Sequence, residues 1–293
     1  MTATQVLEAP CKINLHLGIH SQTDERGYHR VDSVMAPVGL FDTVAVTDAP
    51  ELAVLHEPAL SVAPQDTTVW KAATLLAAEL GVEPNVSVRV VARIPEKAGL
   101  GGSSADAGAT LRLLAERWGV SPTDPRVIKV AQRVGADVAF FLDPRPSLFL
   151  GAGDAREEVF SPTALPVCLV MPDGKGVSAK AAYQAFDAEP SQPASYEPMC
   201  AALRAGDAAT TTGLLHNNLA PAAKQLQPGC AQVEAWLLQQ PETLAALVSG
   251  SGSCCFAVCQ TLDAARCVAR RAAQQQDWWS FATLTVGTPE EVC

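Results

Sequence analysis

The chain reads as an α+β protein of two lobes. Three observations carry this. Residues 11–19 alternate cleanly, with Ile13, Leu15, Leu17 and Ile19 on one face and Lys12, Asn14, His16 and Gly18 on the other, as a half-buried strand does. A glycine-rich loop at 95–109 opens onto a helical pattern. Strand and helix patterns are interleaved along the chain without strict alternation, which argues against one parallel sheet. Composition also shifts near 155–165, where charged residues give way to Ser161-Pro162 and Leu165-Pro166, dividing the chain into 1–160 and 161–293. With 293 residues, 48% hydrophobic and 18% charged, the chain has room for two lobes with real cores.

In order, Arg26-Gly27-Tyr28-His29 reads as a turn, followed by a strand to Val38. Stretches 43–46 and 86–91 are β-branched and read as two more strands. Asp66-Thr67-Thr68 supplies a cap for a helix carrying Trp70, Ala73, Leu76 and Leu80, stopped by Gly81. Residues 125–134 put Val127, Val130, Ala131 and Val134 on one helical face, before Gly135, Asp137 and an apolar run at 138–142. Beyond the boundary, 167–171 is a strand and Ser178 starts a helix through Phe186. The stretch 190–240 is mostly helical, interrupted at Pro221 and Pro228-Gly229. Strand, loop, strand follows over 244–258, then a helix at 262–275 and a last strand at 281–286.

The glycine-rich loop is the most specific chemical signal. Gly99, Gly101 and Gly102 permit φ > 0, and Ser103 and Ser104 are placed to cap a helix on which Leu111, Leu114 and Trp118 recur before Gly119. Backbone N–H groups gathered at a helix N-terminus make an anion site, most often for phosphate. The alternative reading is an ordinary strand-to-helix turn. There is no G-x-x-x-x-G-K-[ST], and the G-x-G pairs at 151/153, 174/176 and 250/252 lack the third glycine of a dinucleotide fold.

A formal charge of −10 argues against nonspecific nucleic-acid binding. The nine cysteines form no CxxC pair, and Cys254, Cys255, Cys259 and Cys267 sit in apolar surroundings as small buried hydrophobes. The five histidines show no metal-ligand spacing, and His16, His20, His56 and His216 read as structural or surface groups. No secretion signal or membrane span is recognisable, so the expected compartment is the cytoplasm.

Pro95–Ala107 resembles the phosphate loop of the GHMP kinases. Lys12-Ile13-Asn14-Leu15, Gly27-Tyr28-His29, Gly135-Ala136-Asp137-Val138 and Ser249-Gly250-Ser251-Gly252-Ser253 are similar, in order and rough spacing, to the branch acting on 4-diphosphocytidyl-2-C-methyl-D-erythritol. That resemblance implies an N-terminal lobe like ribosomal protein S5 domain 2 and a ferredoxin-like C-terminal lobe. It implies ATP- and Mg²⁺-dependent phosphorylation of the acceptor's 2-hydroxyl in non-mevalonate isoprenoid biosynthesis, by a monomer or weak homodimer. Ser103 stands where the family often has glycine, Arg26 where it usually has aspartate, and Thr67 where it often has asparagine near the adenine.

The resemblance assigns roles residue by residue. Asp137 becomes the base or orienter of the acceptor hydroxyl, although an aspartate after Gly135 also reads as a helix cap. Lys12 becomes a cation beside the transferring phosphoryl group, or else a solvated lysine on a strand face, and Asn14 binds substrate or holds Lys12. ATP falls to Pro95, Gly99, Leu100, Gly101, Gly102, Ser103, Ser104 and Ala105. Tyr28 and His29 take the cytosine with Tyr183 as second aromatic; the chain has three tyrosines, and two stand here. Gly250 and Gly252 form a turn that closes on the substrate diphosphate, or simply a tight hairpin loop. The metal ligands stay open, Asp106 being one candidate.

Overall fold

The structure is a computed structural model and describes residues 4–25 and 27–286, so Arg26 lies outside the described residues. In chain order the strands are β1 (Gln5–Thr23), β2 (His29–Asp48), β3 (Ala53–Glu57), β4 (Val86–Val91), β5 (Ser147–Leu150), β6 (Ala155–Val159), β7 (Pro166–Met171), β8 (His216–Asn217), β9 (Thr243–Val248), β10 (Cys255–Cys259) and β11 (Trp279–Leu284). The helices are α1 (Thr68–Leu80), α2 (Gly102–Arg117), α3 (Pro125–Val134), α4 (Ala179–Ala188), α5 (Glu197–Ala205), α6 (Ala208–Gly213), α7 (Ala220–Leu226), α8 (Gly229–Leu238) and α9 (Leu262–Gln276). A 3₁₀ helix spans Ala136–Leu142.

Two compact units result. One is Met1–Cys11, Leu40–Pro95 and Gly101–Pro144; the other is Lys12–Gly39, Glu96–Leu100 and Arg145–Cys293. Chain order therefore does not separate them: β1, β2 and the glycine-rich loop each belong partly to both.

In the first unit, β2 pairs antiparallel with β4, Thr43 opposite Val91, and β3 lies parallel to β4. α1 begins where the Thr67 hydroxyl accepts from the Trp70 amide, and ends at Gly81 with φ 68°. Asp124 caps α3 through the Arg126 amide, with Pro125 in the first turn where its missing N–H costs nothing. α2 packs on the 3₁₀ helix through Gly108, where a Cβ would stand 2.4 Å from the Phe141 Cβ. A glycine is required there by contact, since real Cβ atoms never come that close.

In the second unit, strand order β11-β7-β10-β9 makes an antiparallel sheet, with Cys255 opposite both Val170 and Val248. Helices α8 and α9 bury Val233, Leu237, Val268 and Ala272 against it, among Cys168, Cys230, Cys255 and Cys259. Burial pushes the Cys259 thiol up to about 11, so it behaves as a small hydrophobe. Cys267, expected in this core, is exposed on α9. Also in this unit, β5 pairs with β2 and β6, and β8 runs parallel to β1 with His16 opposite His216.

Three sequence expectations change. The strand at 11–19 is buried on both faces: Lys12, Asn14 and His16 are 3%, 2% and 1% exposed. Hydrophobic alternation marked one covered face, and other segments of the unit cover the polar one. The strand after His29 and the one at 43–46 are a single strand, β2. Ser103 and Ser104 do not cap α2, which starts from Gly101 at φ 77° without a side-chain cap; both serines lie inside its first turn. No helix among the described residues is long and apolar enough to cross a membrane.

Candidate active site

Lys12 and Asn14 are two residues apart on β1, so both project to one side of the strand. Lys12 Nζ donates to Asn14 Oδ1 at 2.6 Å, and Asn14 Nδ2 donates to Ser33 Oγ on β2 at 2.9 Å. The asparagine amide is thus oriented from both ends. Lys12 is held along its backbone as well, its amide donating to the Leu100 carbonyl at 2.9 Å.

That last contact attaches β1 to the glycine-rich loop, whose 96–100 segment is packed tightly in the second unit. Gly99 has φ 73°, and a Cβ on it would lie 2.1 Å from the Ser249 carbonyl oxygen. The Ser249 hydroxyl donates to the Gly99 carbonyl at 3.1 Å, and the Cys254 amide to the Ala98 carbonyl at 3.0 Å. Gly250, at φ 55°, faces the same group of residues: a Cβ there would lie 3.1 Å from Lys12 Nζ and 3.3 Å from Asn14 Oδ1. Gly252, at φ 79°, donates its amide to the Ser249 carbonyl at 2.8 Å. Lys12, Asn14, Gly99, Leu100, Gly250 and Gly252 are therefore one cluster. Ser249 belongs to the Ser249–Ser253 segment already singled out, whereas Ser33, which orients Asn14, carries no sequence pattern that marks it.

In the first unit, Gly101 through Ala105 form the start of α2. The amides of Ser104 and Ala105 donate back to the Gly101 carbonyl at 3.0 and 2.8 Å. Those of Gly102 and Ser103 precede the first α-helical bond, so the helix offers them no acceptor of its own. They stand at the positive end of the helix dipole, which is the arrangement that favours an anion. Gly102 itself is helical and packs on Ile94, so two of the three loop glycines, not all three, use positive φ. The Thr68 hydroxyl donates to the Ser103 carbonyl at 2.7 Å, tying α1 to this turn. The Thr67 hydroxyl is spent on local structure, capping α1 and donating to the Pro64 carbonyl at 2.6 Å. Pro95 ends the segment leading into the loop.

Asp137 is the second residue of the 3₁₀ helix, partly exposed, and the cap position of that helix, Gly135, makes no side-chain cap bond. In the same unit, Asp42 Oδ1 accepts from the Ile94 amide at 2.8 Å and Asp106 meets Asp42 through a side-chain hydrogen bond. Burial first, and then the Asp42 charge, push the Asp106 carboxyl well above the usual carboxylate range.

The aromatic set lies in the second unit. His29 and Tyr183 rings are 5.6 Å apart and tilted by 32°, with the Phe186 ring edge-on to His29 at 5.9 Å. His29 Nδ1 is 2.7 Å from the His20 carbonyl, and Nε2 is 3.0 Å from Asp187 Oδ1. Tyr28 is 59% exposed on a turn in which its amide donates to Asp24 Oδ1 at 3.0 Å. Phe186 and Asp187 join this corner without having stood out in the sequence.

Residues 67–143 match the GHMP kinases N terminal domain, and residues 199–276 match the GHMP kinases C terminal domain. Over 280 residues the chain is 34% identical to the 4-diphosphocytidyl-2-C-methyl-D-erythritol kinase of Nocardioides sp., covering 90% of this chain and 91% of that one. The chain belongs to the GHMP kinases, in the 4-diphosphocytidyl-2-C-methyl-D-erythritol kinase family. A kinase of the same name from Xanthobacter autotrophicus is 36% identical over 289 residues, 94% of this chain and 97% of that one. A crystal structure of 4-(cytidine 5'-diphospho)-2C-methyl-D-erythritol kinase superposes with a TM-score of 0.77 at 28% identity, covering 97% of this chain and all 100% of that one. A homoserine kinase from Cytophaga hutchinsonii matches with a TM-score of 0.74 at 18% identity over 98% of this chain and 96% of that one, a likeness of fold. As a GHMP kinase, the chain is a phosphotransferase that uses ATP.

Proposed function

We propose that the chain transfers the γ-phosphoryl group of ATP to the 2-hydroxyl of 4-diphosphocytidyl-2-C-methyl-D-erythritol, an isoprenoid precursor. The observation that carries this is its near full-length similarity to kinases named for that substrate. In the transfer, the hydroxyl oxygen bonds to the γ-phosphorus as the bond to the β,γ-bridging oxygen breaks, and ADP leaves. The Asp137 carboxylate orients the hydroxyl and takes its proton. Lys12, held by Asn14, supplies positive charge to the phosphoryl oxygens as charge develops on them.

Gly99 through Ala105 cradle the ATP phosphates, supported by the exposed end of the α2 dipole. Gly250 and Gly252 receive the acceptor's diphosphate, and Tyr28, His29 and Tyr183 receive its cytosine. Reading the base with His29 Nε2 requires that nitrogen to exchange Asp187 for the ligand. The two family segments, 67–143 and 199–276, fall on either side of 160/161, while the compact units interleave along the chain.

Mg²⁺ carried by ATP needs only one or two protein oxygens, because phosphates and water complete its shell. Among the described residues no group of three His, Cys, Asp or Glu forms a metal cage, and the hydroxyls of Ser103 and Ser104 fit this smaller demand. Asp106 lies buried against Asp42, and burial and that neighbouring charge push its carboxyl up. When bound, the ion neutralises phosphate charge.

The test is ADP release by purified protein with Mg²⁺ and ATP, against cytidylylated and plain alcohol acceptors. Turnover is expected with the cytidine diphosphate-linked acceptor alone, and equal turnover of homoserine or mevalonate would overturn the reading. Asp137→Asn is expected to lower kcat by about 10²–10⁴-fold, the range for loss of a general base, while nucleotide binding persists. Near-normal turnover would remove Asp137 from the mechanism.

A further inference from the structure

Asn217 and Asn218 stand side by side where β8 meets β1, and each uses its amide in full. Asn217 Nδ2 donates to the carbonyls of Val248 at 2.9 Å and Gly250 at 2.8 Å, while its Oδ1 accepts from the Leu219 amide at 2.9 Å. Asn218 turns the other way. Its Nδ2 donates to the carbonyls of Ile19 at 2.9 Å and Ser191 at 3.1 Å, and its Oδ1 accepts from the Ile19 amide at 2.8 Å. Both side chains are buried, 6% and 7% exposed.

A primary amide is the neutral side chain that presents two donors and an acceptor from one planar group. Aspartate would set a carboxylate against two carbonyl oxygens, and alanine would leave both carbonyls without this partner. The two carbonyls that Asn217 holds flank Ser249, whose hydroxyl bonds to Gly99. The second of them belongs to Gly250, the residue against Lys12 Nζ and Asn14 Oδ1. Leu17, opposite Asn217 in the β1–β8 register, lies on the same strand as Lys12 and Asn14.

We propose that Asn217 is a positioning residue for phosphoryl transfer, fixing the Ser249–Gly252 turn at its working distance from Lys12 and Asn14. Asn218 fastens β1 and is the anchor on the strand side. This deepens the reading of Lys12 under Proposed function and rests on it. Displacements of about 1 Å at a catalytic centre cost on the order of a hundredfold in rate, so a residue that touches no reacting atom can still govern turnover.

The experiment compares Asn217→Asp, Asn217→Ser and Lys12→Ala with the wild-type enzyme, in ADP release and in ATP titrations of the free protein. Asn217→Asp is expected to lower kcat by about tenfold or more with ATP affinity within about twofold. Relative to wild type its turnover should recover as pH falls, because a protonated carboxyl regains one O–H donor. Asn217→Ser, which keeps one donor, is expected to lose less, and it carries the test if the aspartate variant does not fold. Unchanged kcat in the serine and aspartate variants, or a loss of turnover matched by an equal loss of ATP binding, overturns the proposal. Lys12→Ala separates the two claims. If it is inactive while Asn217→Asp is normal, the positioning role alone fails; if it is fully active, the reading of the site fails with it.

Discussion

On β1 the polar side chains Lys12, Asn14 and His16 are all buried, whereas Tyr28, at the turn beyond the same strand, is 59% exposed. Lys12 and Asn14 bond to each other and on to Ser33, and Gly250 closes over them. At the aromatic corner, His29, Tyr183 and Phe186 meet as rings, and His29 engages the exposed carboxylate of Asp187. Groups that meet a developing charge need fixed positions, since reorganising them during the reaction would cost the stabilisation they give. Groups that capture a flat base need a face left open for stacking. One unit therefore carries both a locked strip and an open corner.

The largest expected effect breaks the strip. Lys12→Ala should lower kcat by about 10²–10³-fold, the magnitude for losing one preorganised electrostatic group. The acceptor KM should change far less. A variant in which only KM rises would make Lys12 a binding group and erase the distinction between strip and corner.

Much of this contrast was not legible in the sequence. Local signals read well where they act locally: the 125–134 periodicity matches α3, and Ser178 caps α4 as expected. Lys12 and Asn14 were legible as a polar strand face, but what covers that face comes from Gly250, more than two hundred residues along the chain. Alternation reports period, not coverage, so burial on both sides was invisible. Ser103 and Ser104 looked like caps because serine caps well, yet Gly101 in the left-handed conformation takes the cap position two residues before Ser103. Ser33, Asp187 and the amide of Asn217 act through contacts distant in sequence, and no short pattern announces them.

A smaller effect sharpens the corner. Tyr183→Ala removes a stacking face worth about 1–3 kcal/mol, so the acceptor KM should rise by about 5–150-fold at saturating ATP. Turnover at saturating acceptor should stay close to normal, because the strip is untouched. An unchanged acceptor KM, or a loss of turnover accompanied by a lower melting temperature, would show that Tyr183 packs the unit and does not clamp a base.

The smallest effect concerns the strip's third member and is read in stability. His16 is lowered from 6.5 to about 4, by burial first and by His216 second, with Asp32 opposing. Its Nε2 has no hydrogen-bond partner among the described residues. In the unfolded chain the imidazole takes its proton near pH 6.5, while in the native protein it does so only near pH 4. Between those values the unfolded state binds more protons, so stability is present in full above pH 6.5 and drains away as pH falls. The loss through this one group is on the order of 3 kcal/mol at its limit. His16→Gln removes the titration and keeps a polar side chain, so its melting temperature should fall less steeply than that of the wild type as pH is lowered. An offset between the two curves would report packing alone, whereas the difference in slope reports the buried neutral imidazole. Parallel curves across that pH range would mean that His16 gains its proton in the folded state as easily as in water, and that the far end of the strip is open after all.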